Sequence, residues 1–225
     1  CIRDRQEAGY MSKNVIKAIV LQYSAEMKKE FNRYMKEAIK NSKVKVTGAV
    51  KYKLEVDWVY DQKVRNKFIA SLAGKCKGNT IIMFRFKEHG ESLFKMVEKM
   101  NPDRNVYFVN GDVEGDDREK IRKIVDSSED NIIVASTGVF STGVNIKSIF
   151  HIIHAAANKA EDEILQIIGR GLRLFNGKEM CNVYDIADDL RSSNTDNYLI
   201  KHFISRIEIY DEHEHTYKIY KHQIQ

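Results

Sequence analysis

The chain has 225 residues, enough for one sizeable core or two modest ones, and its 43% hydrophobic and 31% charged content is that of a globular protein, not a fibre or a disordered tail. No apolar run approaches the roughly 20 residues of a membrane span and no signal-peptide pattern opens the chain, so no membrane partner is expected. The net charge of +5, from 37 basic and 32 acidic residues, permits nucleic-acid binding without demanding it.

Cys1, Cys76 and Cys181 are odd in number, far apart and without C-x-x-C spacing. That pattern argues for a reducing compartment and against a structural zinc or a disulfide framework. The chain opens on a charged stretch, Ile2 to Glu7, with no initiator Met, which reads as a piece of a longer protein.

In chain order, Val15 to Gln22 reads as a strand and Glu26 to Lys40 as a helix through Met27, Phe31, Met35 and Ile39. Trp58 to Ala73 gives a further helix through Val64, Phe68 and Leu72, closed by Gly74 and feeding the first sheet strand. From Thr80 onward strand and helix alternate: Thr80 to Phe84 is a strand, Ser92 to Met100 a helix, Val106 to Val109 a strand and the segment through Ile121, Ile124 and Val125 a helix. Ile132 to Ala135 and His151 to His154 follow as strands, then a helix over Glu161 to Gly171 and a strand over Cys181 to Asp185. Tyr198 to Tyr210 is helical, and Thr216 to Ile224 is an edge strand or a frayed tail. Alternation at this pitch means right-handed βαβ units and a parallel sheet with helices on both faces. The expected division is residues 1–60 as a linker with a strand and helix of unassigned attachment, 61–190 as the sheet domain and 191–225 as a C-terminal helix and tail.

Two segments carry chemistry. Ser136-Thr-Gly-Val-Phe-Ser-Thr-Gly-Val-Asn145 leaves a buried strand as a loop rich in Gly, Ser and Thr. Its glycines allow close backbone approach to a phosphate and its hydroxyls can donate to phosphate oxygens, although a plain turn with capping hydroxyls has the same composition. Gln166-Ile-Ile-Gly-Arg170-Gly-Leu-Arg173 sets two arginines three residues apart on a helix, where i and i+3 share a face. Two guanidinium forks reaching one point suit the charge that spreads over a phosphoryl group in transfer. An isolated R-x-x-R is more often a solvated basic face, so the order of segments decides between the two.

A strand ending in a small-residue loop and Gly-Val-Asn, another strand, then a helix bearing Gln-x-x-Gly-Arg-x-x-Arg resembles the second RecA-like domain of superfamily 2 helicases. Ile81 to Phe86 is similar to motif IV, and Asn110-Gly111 with Arg118 to the G-x(n)-R element that follows it. Ser136 to Asn145 is similar to motif V, and Gln166 to Arg173 matches motif VI. The resemblance covers roughly Arg65 to Asp188. Within the superfamily, the block from Val134 to Gly143 and the segment Arg65-Asn-Lys-Phe-Ile-Ala70 look most like the recombination and repair helicases of T4-type phages, which implies a host bacterial cytoplasm.

The resemblance implies a RecA-like, P-loop-NTPase-type sheet acting as the second lobe of a two-lobe motor. Arg170 and Arg173 would be arginine fingers on ATP held mainly, with Mg2+, by an N-terminal lobe of the same protein. Gln166 would contact the γ-phosphate or its water, and Gly143 and Asn145 would face the nucleotide. Where Asn145 stands the family often has an aspartate, and an amide still bonds a ribose hydroxyl but brings no charge. Gly111, Arg118, Ser136, Thr137 and Gly138 would hold the tracked strand of DNA, or of an RNA–DNA hybrid. The alternative is a non-catalytic nucleic-acid-binding or docking module with this fold.

No G-x-x-x-x-G-K-[ST] loop is present, and in Gly74-Lys75-Cys76-Lys77-Gly78-Asn79 the lysine precedes the glycine it should follow. The domain alone is therefore expected to be inactive on ATP. Asp211-Glu-His-Glu-His215 imitates a D-E-x-H box in the wrong half of the sequence, and no metal site is expected at His213, His215 and His222. Asp185, Asp188 and Asp189 near a strand end read as loop caps more readily than as magnesium ligands. His89, His151, His154 and His202 read as structural.

Overall fold

The runs Thr80–Phe84 and Ile132–Ser136 are apolar at almost every position, which a strand supports only when both of its faces are covered. They pair in parallel near the middle of a seven-stranded sheet. The computed structural model describes residues 13–142, 146–158, 161–171, 178, 180–192 and 196–225. In chain order the elements are β1 Lys13–Tyr23, α1 Ala25–Lys40, α2 Gly48–Asp61, α3 Lys63–Lys75, β2 Thr80–Phe84, α4 Lys87–Met100, β3 Val106–Val109 and α5 Gly115–Ser127. There follow β4 Ile132–Ser136, α6 Thr137–Thr142, β5 His151–His154, α7 Glu161–Gly171, β6 Met180–Asp189, α8 Tyr198–Glu212 and β7 Tyr217–Ile224.

The strand order is β3-β4-β2-β5-β6-β1-β7, and every pairing is parallel. Alternate residues of each strand point to opposite faces, and the two faces carry separate cores. On one, Ile82, Phe84, Val134 and Ile153 meet Phe31 of α1, Val56 and Trp58 of α2, Ile69 of α3 and Leu93 and Val97 of α4. On the other, Ile81, Met83, Ile133 and Val183 meet Val125 of α5, Val139 of α6, Ile164, Ile167 and Ile168 of α7 and Tyr210 of α8. Helices thus cover both faces, as the alternating sequence requires.

The structure departs from the sequence expectation in several places, among them α2, which begins at Gly48, and α4, which begins at Lys87. The expected single helix over Trp58 to Ala73 is two, broken at Gln62, whose extended backbone (φ −71°, ψ 106°) ends α2 and starts α3. Gly74 does not close α3, which runs on to Lys75; a side chain at Gly74 would collide with Asn101, the residue that caps α4. The loop after Ser136 begins with a short helix, α6. The strand expected over Cys181 to Asp185 extends to Asp189, because its acidic residues are paired inside the protein. Near the N-terminus, β1 lies between β6 and β7, and β7 is the edge strand.

Candidate functional site

A parallel sheet delivers the carboxyl ends of all its strands to one edge, where open α/β sheets bind ligands. The register sets which turns meet there. Val109 of β3 and Met83 of β2 both pair with Ala135 of β4, and Met83 pairs with His154 of β5, which pairs with Asp185 of β6. Asn110-Gly111, Ser136 to Gly138, Phe86-Lys87 and Ala155 to Asn158 therefore emerge side by side.

Each turn has a local cause. Asn110 Oδ1 accepts from the Asp112 amide at 3.1 Å, a side-chain turn that leaves Gly111 exposed, with nothing within 4 Å of where a Cβ would sit. Lys87 Nζ bonds Asp112 at 2.5 Å, tying the start of α4 to that turn. Ser136 is half-buried, Thr137 is buried and Gly138 is exposed. Arg118 lies in the first turns of α5, with its amide bonded to the Glu114 carbonyl. Its Nε is enclosed and has no hydrogen-bond partner.

Helix α7 buries Ile164, Ile167 and Ile168 and leaves Gln166 exposed, the amphipathic pattern of a helix lying on a sheet. The backbone of Arg170 continues α7, four residues on from Gln166. The Arg170 side chain, Gly143, Asn145 and Arg173 lie outside the described residues.

The segment between β5 and α7 is held by side chains the sequence reading gave no role. Arg65 Nη2 donates to the Ala155 carbonyl at 3.0 Å, Tyr52 Oη to the Ala157 carbonyl at 2.8 Å, and Arg206 Nη1 to the Asn158 carbonyl at 2.8 Å. The Ala157 amide in turn donates to Tyr60 Oη at 3.0 Å. Both arginines are fully buried and each is paired with a carboxylate of β6. Arg65 forks onto Asp188 at 2.9 and 3.1 Å, and Arg206 Nε bonds Asp185 at 2.9 Å. Burial by itself raises the Asp185 carboxyl, but the Arg206 charge and the hydrogen bonds from His154 and Arg206 outweigh it and hold it at about 2. Burial pushes the Tyr60 phenol up to about 12, against the pull of Arg65 and the Ala157 amide, so it stays a neutral acceptor for that amide.

Asp185 and Asp188 are thus counter-ions of buried arginines, neither loop caps nor open metal ligands. Asp189 does cap locally, accepting from the Arg191 amide at 3.1 Å. Asp211 to His215 forms the end of α8 and the turn into β7, where Glu214 takes a positive φ of 55° and the His215 amide bonds the Tyr210 carbonyl. Among the described residues no group of three or more His, Cys, Asp or Glu is placed to hold a metal ion. His89 stacks on Tyr60 at 3.8 Å and bonds Asn66 Oδ1 at 3.1 Å, while His151, His154 and His202 bond the Lys77 carbonyl, Asp185 and the Ala157 carbonyl. No helix is long and apolar enough to cross a membrane among the described residues.

The fold matches a known domain. The model of the helicase conserved C-terminal domain matches residues 63–175, half of the chain, and the chain belongs to that family. The ATP-dependent DNA helicase UvsW of Enterobacteria phage T4 is 35% identical over 179 residues, covering 74% of this chain and 35% of that protein. The chain thus spans about a third of the length of that relative. The crystal structure of T4 UvsW superposes with a TM-score of 0.71 at 30% identity, over 95% of this chain and 42% of that one. The C-terminal domain of the DEAD-box protein Dbp5 shares the fold alone, with a TM-score of 0.53 at 12% identity over 72% of this chain and 86% of that one.

Proposed function

We propose that this domain is the C-terminal motor lobe of an ATP-dependent DNA helicase or branch-migration translocase, serving recombination and repair at stalled forks or on RNA–DNA hybrids. The observation that carries the reading is the convergence on one sheet edge of the turns after β3 and β4 with the segment leading into α7, in a chain of the helicase C-terminal family. The T4 relative is named an ATP-dependent DNA helicase, and this chain spans only part of it, which supports a partner lobe in a longer protein.

ATP, held with Mg2+ mainly by that partner lobe, supplies the γ-phosphoryl group whose transfer to water drives the cycle. From this lobe, Arg170 and Arg173 stabilise the charge that spreads over the phosphoryl oxygens, a contribution of about 10³–10⁵ in turnover where an arginine finger has been removed. Gln166 positions the γ-phosphate and its water, and its exposure above a buried isoleucine face supports that role. Gly143 and Asn145 face the nucleotide. Gly111, Ser136, Thr137 and Gly138 hold strand phosphates through backbone amides and hydroxyls. Arg118 adds a guanidinium beside the same strand. Because both lobes grip the strand, each closure and opening moves it. Phosphate contacts carry no sequence information, so binding has little sequence preference and strong salt dependence.

The test is the purified domain by itself. It binds DNA in a salt-dependent manner and does not turn over ATP; steady hydrolysis by the domain alone contradicts the two-lobe reading.

A further inference from the structure

Five of the 37 basic residues fall in one short stretch outside the turns described above. Between residues 36 and 51 the sequence has five lysines, Lys36, Lys40, Lys43, Lys45 and Lys51, and one acid, Glu37. All five lysines are exposed, and among the described residues none of them takes part in an ion pair. In a chain whose whole net charge is +5, this is a concentrated, mainly positive patch whose lysines form no ion pair among the described residues.

The turn that carries the patch is built rather than loose. Asn41 caps α1, donating its amide to the Glu37 and Ile39 carbonyls, Ser42 Oγ bonds the Val44 carbonyl at 2.9 Å, and Thr47 Oγ1 accepts from the Val50 amide to start α2. Both flanking helices are fixed to the body. Phe31 of α1 packs edge-on to Trp58 of α2 at 5.2 Å, and Glu55 of α2 accepts from the Tyr198 and Leu199 amides at 3.1 and 2.6 Å. With Tyr52 bonded to the Ala157 carbonyl just past β5, α2 lies across the carboxyl ends of β5 and β6. A Cβ added to Gly48, at its start, would lie 3.2 Å from the Tyr198 hydroxyl of α8. The lysine turn, which opens α2, therefore lies toward the carboxyl edge of the sheet, the edge that also carries Thr137.

We infer that the α1–α2 turn is a second nucleic-acid contact, in which Lys40, Lys43 and Lys45 hold the phosphodiester backbone of duplex DNA beyond the strand gripped at the ends of β3 and β4. The identity of the polyanion rests on the motor-lobe reading. The patch itself argues against a protein partner, because protein interfaces are depleted in lysine at their cores and organised around buried aromatic or arginine anchors. The only large apolar residue the turn leaves well exposed is Val44. Lysines act on phosphates as mobile point charges, which suits a contact that must slide.

The test is duplex binding by the domain, followed by fluorescence anisotropy between about 50 and 200 mM salt, the range over which counter-ion release dominates. The Lys40→Gln/Lys43→Gln/Lys45→Gln variant binds roughly tenfold or more weakly at the middle of that range. Its slope of log affinity against log salt is shallower by about 2–3, at about 0.9 for each phosphate no longer neutralised. The Lys40→Arg/Lys43→Arg/Lys45→Arg variant keeps the wild-type slope. Thr137→Ala is measured alongside as a probe of the β4 turn. An unchanged slope and affinity in the glutamine variant overturns the inference, and if Thr137→Ala still weakens binding the motor-lobe reading stands without it. A shallower slope in the glutamine variant with no effect of Thr137→Ala supports the lysine turn and counts against the β4 contact. Absence of duplex binding by the wild-type domain overturns the turn contact outright.

Discussion

Arg65 of α3 and Asp188 of β6, 123 residues apart in sequence, form a two-pronged ion pair with Nε–Oδ1 at 2.9 Å and Nη2–Oδ2 at 3.1 Å, both side chains buried. Tyr23 of β1 donates to the same carboxylate at 2.8 Å, and Arg65 passes one further bond to the Ala155 carbonyl. One charge pair thereby joins β1, β6, α3 and the segment that leads into α7.

Breaking this pair from one side leaves an uncompensated charge where solvent cannot reach it. Asp188→Asn or Arg65→Met is expected to destabilise the domain by about 3–5 kcal/mol, read as a lower urea midpoint. The double variant Arg65→Met/Asp188→Leu recovers most of that loss, since an apolar pair of similar size strands no charge.

Glu55 supplies helix α8 with the N-terminal acceptor its own Asn197 does not, taking bonds from Asn197 Nδ2 at 2.7 Å and from the amides of Tyr198 and Leu199. Glu55→Ala removes them all and leaves amides of the first turn unpaired, so a loss of about 2 kcal/mol is expected in thermal or denaturant unfolding. A remote Glu→Ala on the exposed face of α1, at Glu37, serves as the control and leaves stability within about 0.5 kcal/mol.

Much of this architecture is legible in the sequence for a physical reason. Strands β2, β4 and β5 are short apolar runs between turn residues, and a doubly covered parallel strand has to look like that. The order of motifs then identifies the family without the structure. What was not legible is non-local. The break at Gln62 carries neither Pro nor Gly, and the apolar spacing runs through it. The polar end of β6 looks like a strand end because the arginines that neutralise Asp185 and Asp188 come from α8 and α3. Glu55 has the appearance of an ordinary helix-surface acid, since the helix it caps begins 143 residues later. The one signal present was two aspartates continuing a strand pattern, which demand buried cations somewhere else in the chain.

His89 is buried, and burial first, then the Arg65 charge, lowers its pKa well below the usual 6.5. The unfolded chain therefore binds a proton that the folded chain refuses between that value and 6.5, and stability falls as pH drops through this window. His151 and His215 are lowered in the same direction, chiefly by burial. The expected result is a melting temperature that declines from pH 7 to pH 5. In His89→Gln the domain is less stable at pH 7 but declines less steeply; an unchanged pH slope contradicts the assignment.

Gly90 sits in the first turn of α4 against Phe84, and an added Cβ would approach that ring to 2.5 Å. The ring has no room to yield, being buried and stacked on Phe108 at 5.4 Å. Gly90→Ala is expected to cost about 1–3 kcal/mol from overpacking, where the same change at an exposed helical glycine stabilises. A differential scan of the two proteins reads the difference directly.

The most direct test of the motor-lobe account is DNA-stimulated ATP hydrolysis by the two-lobe protein with Arg170 intact and with Arg170→Ala. The account predicts a loss of turnover of about 10³-fold or more, the range attributed to arginine fingers, while DNA affinity is retained. Hydrolysis that proceeds unchanged in Arg170→Ala would contradict it and leave the domain as a nucleic-acid-binding module with a helicase fold.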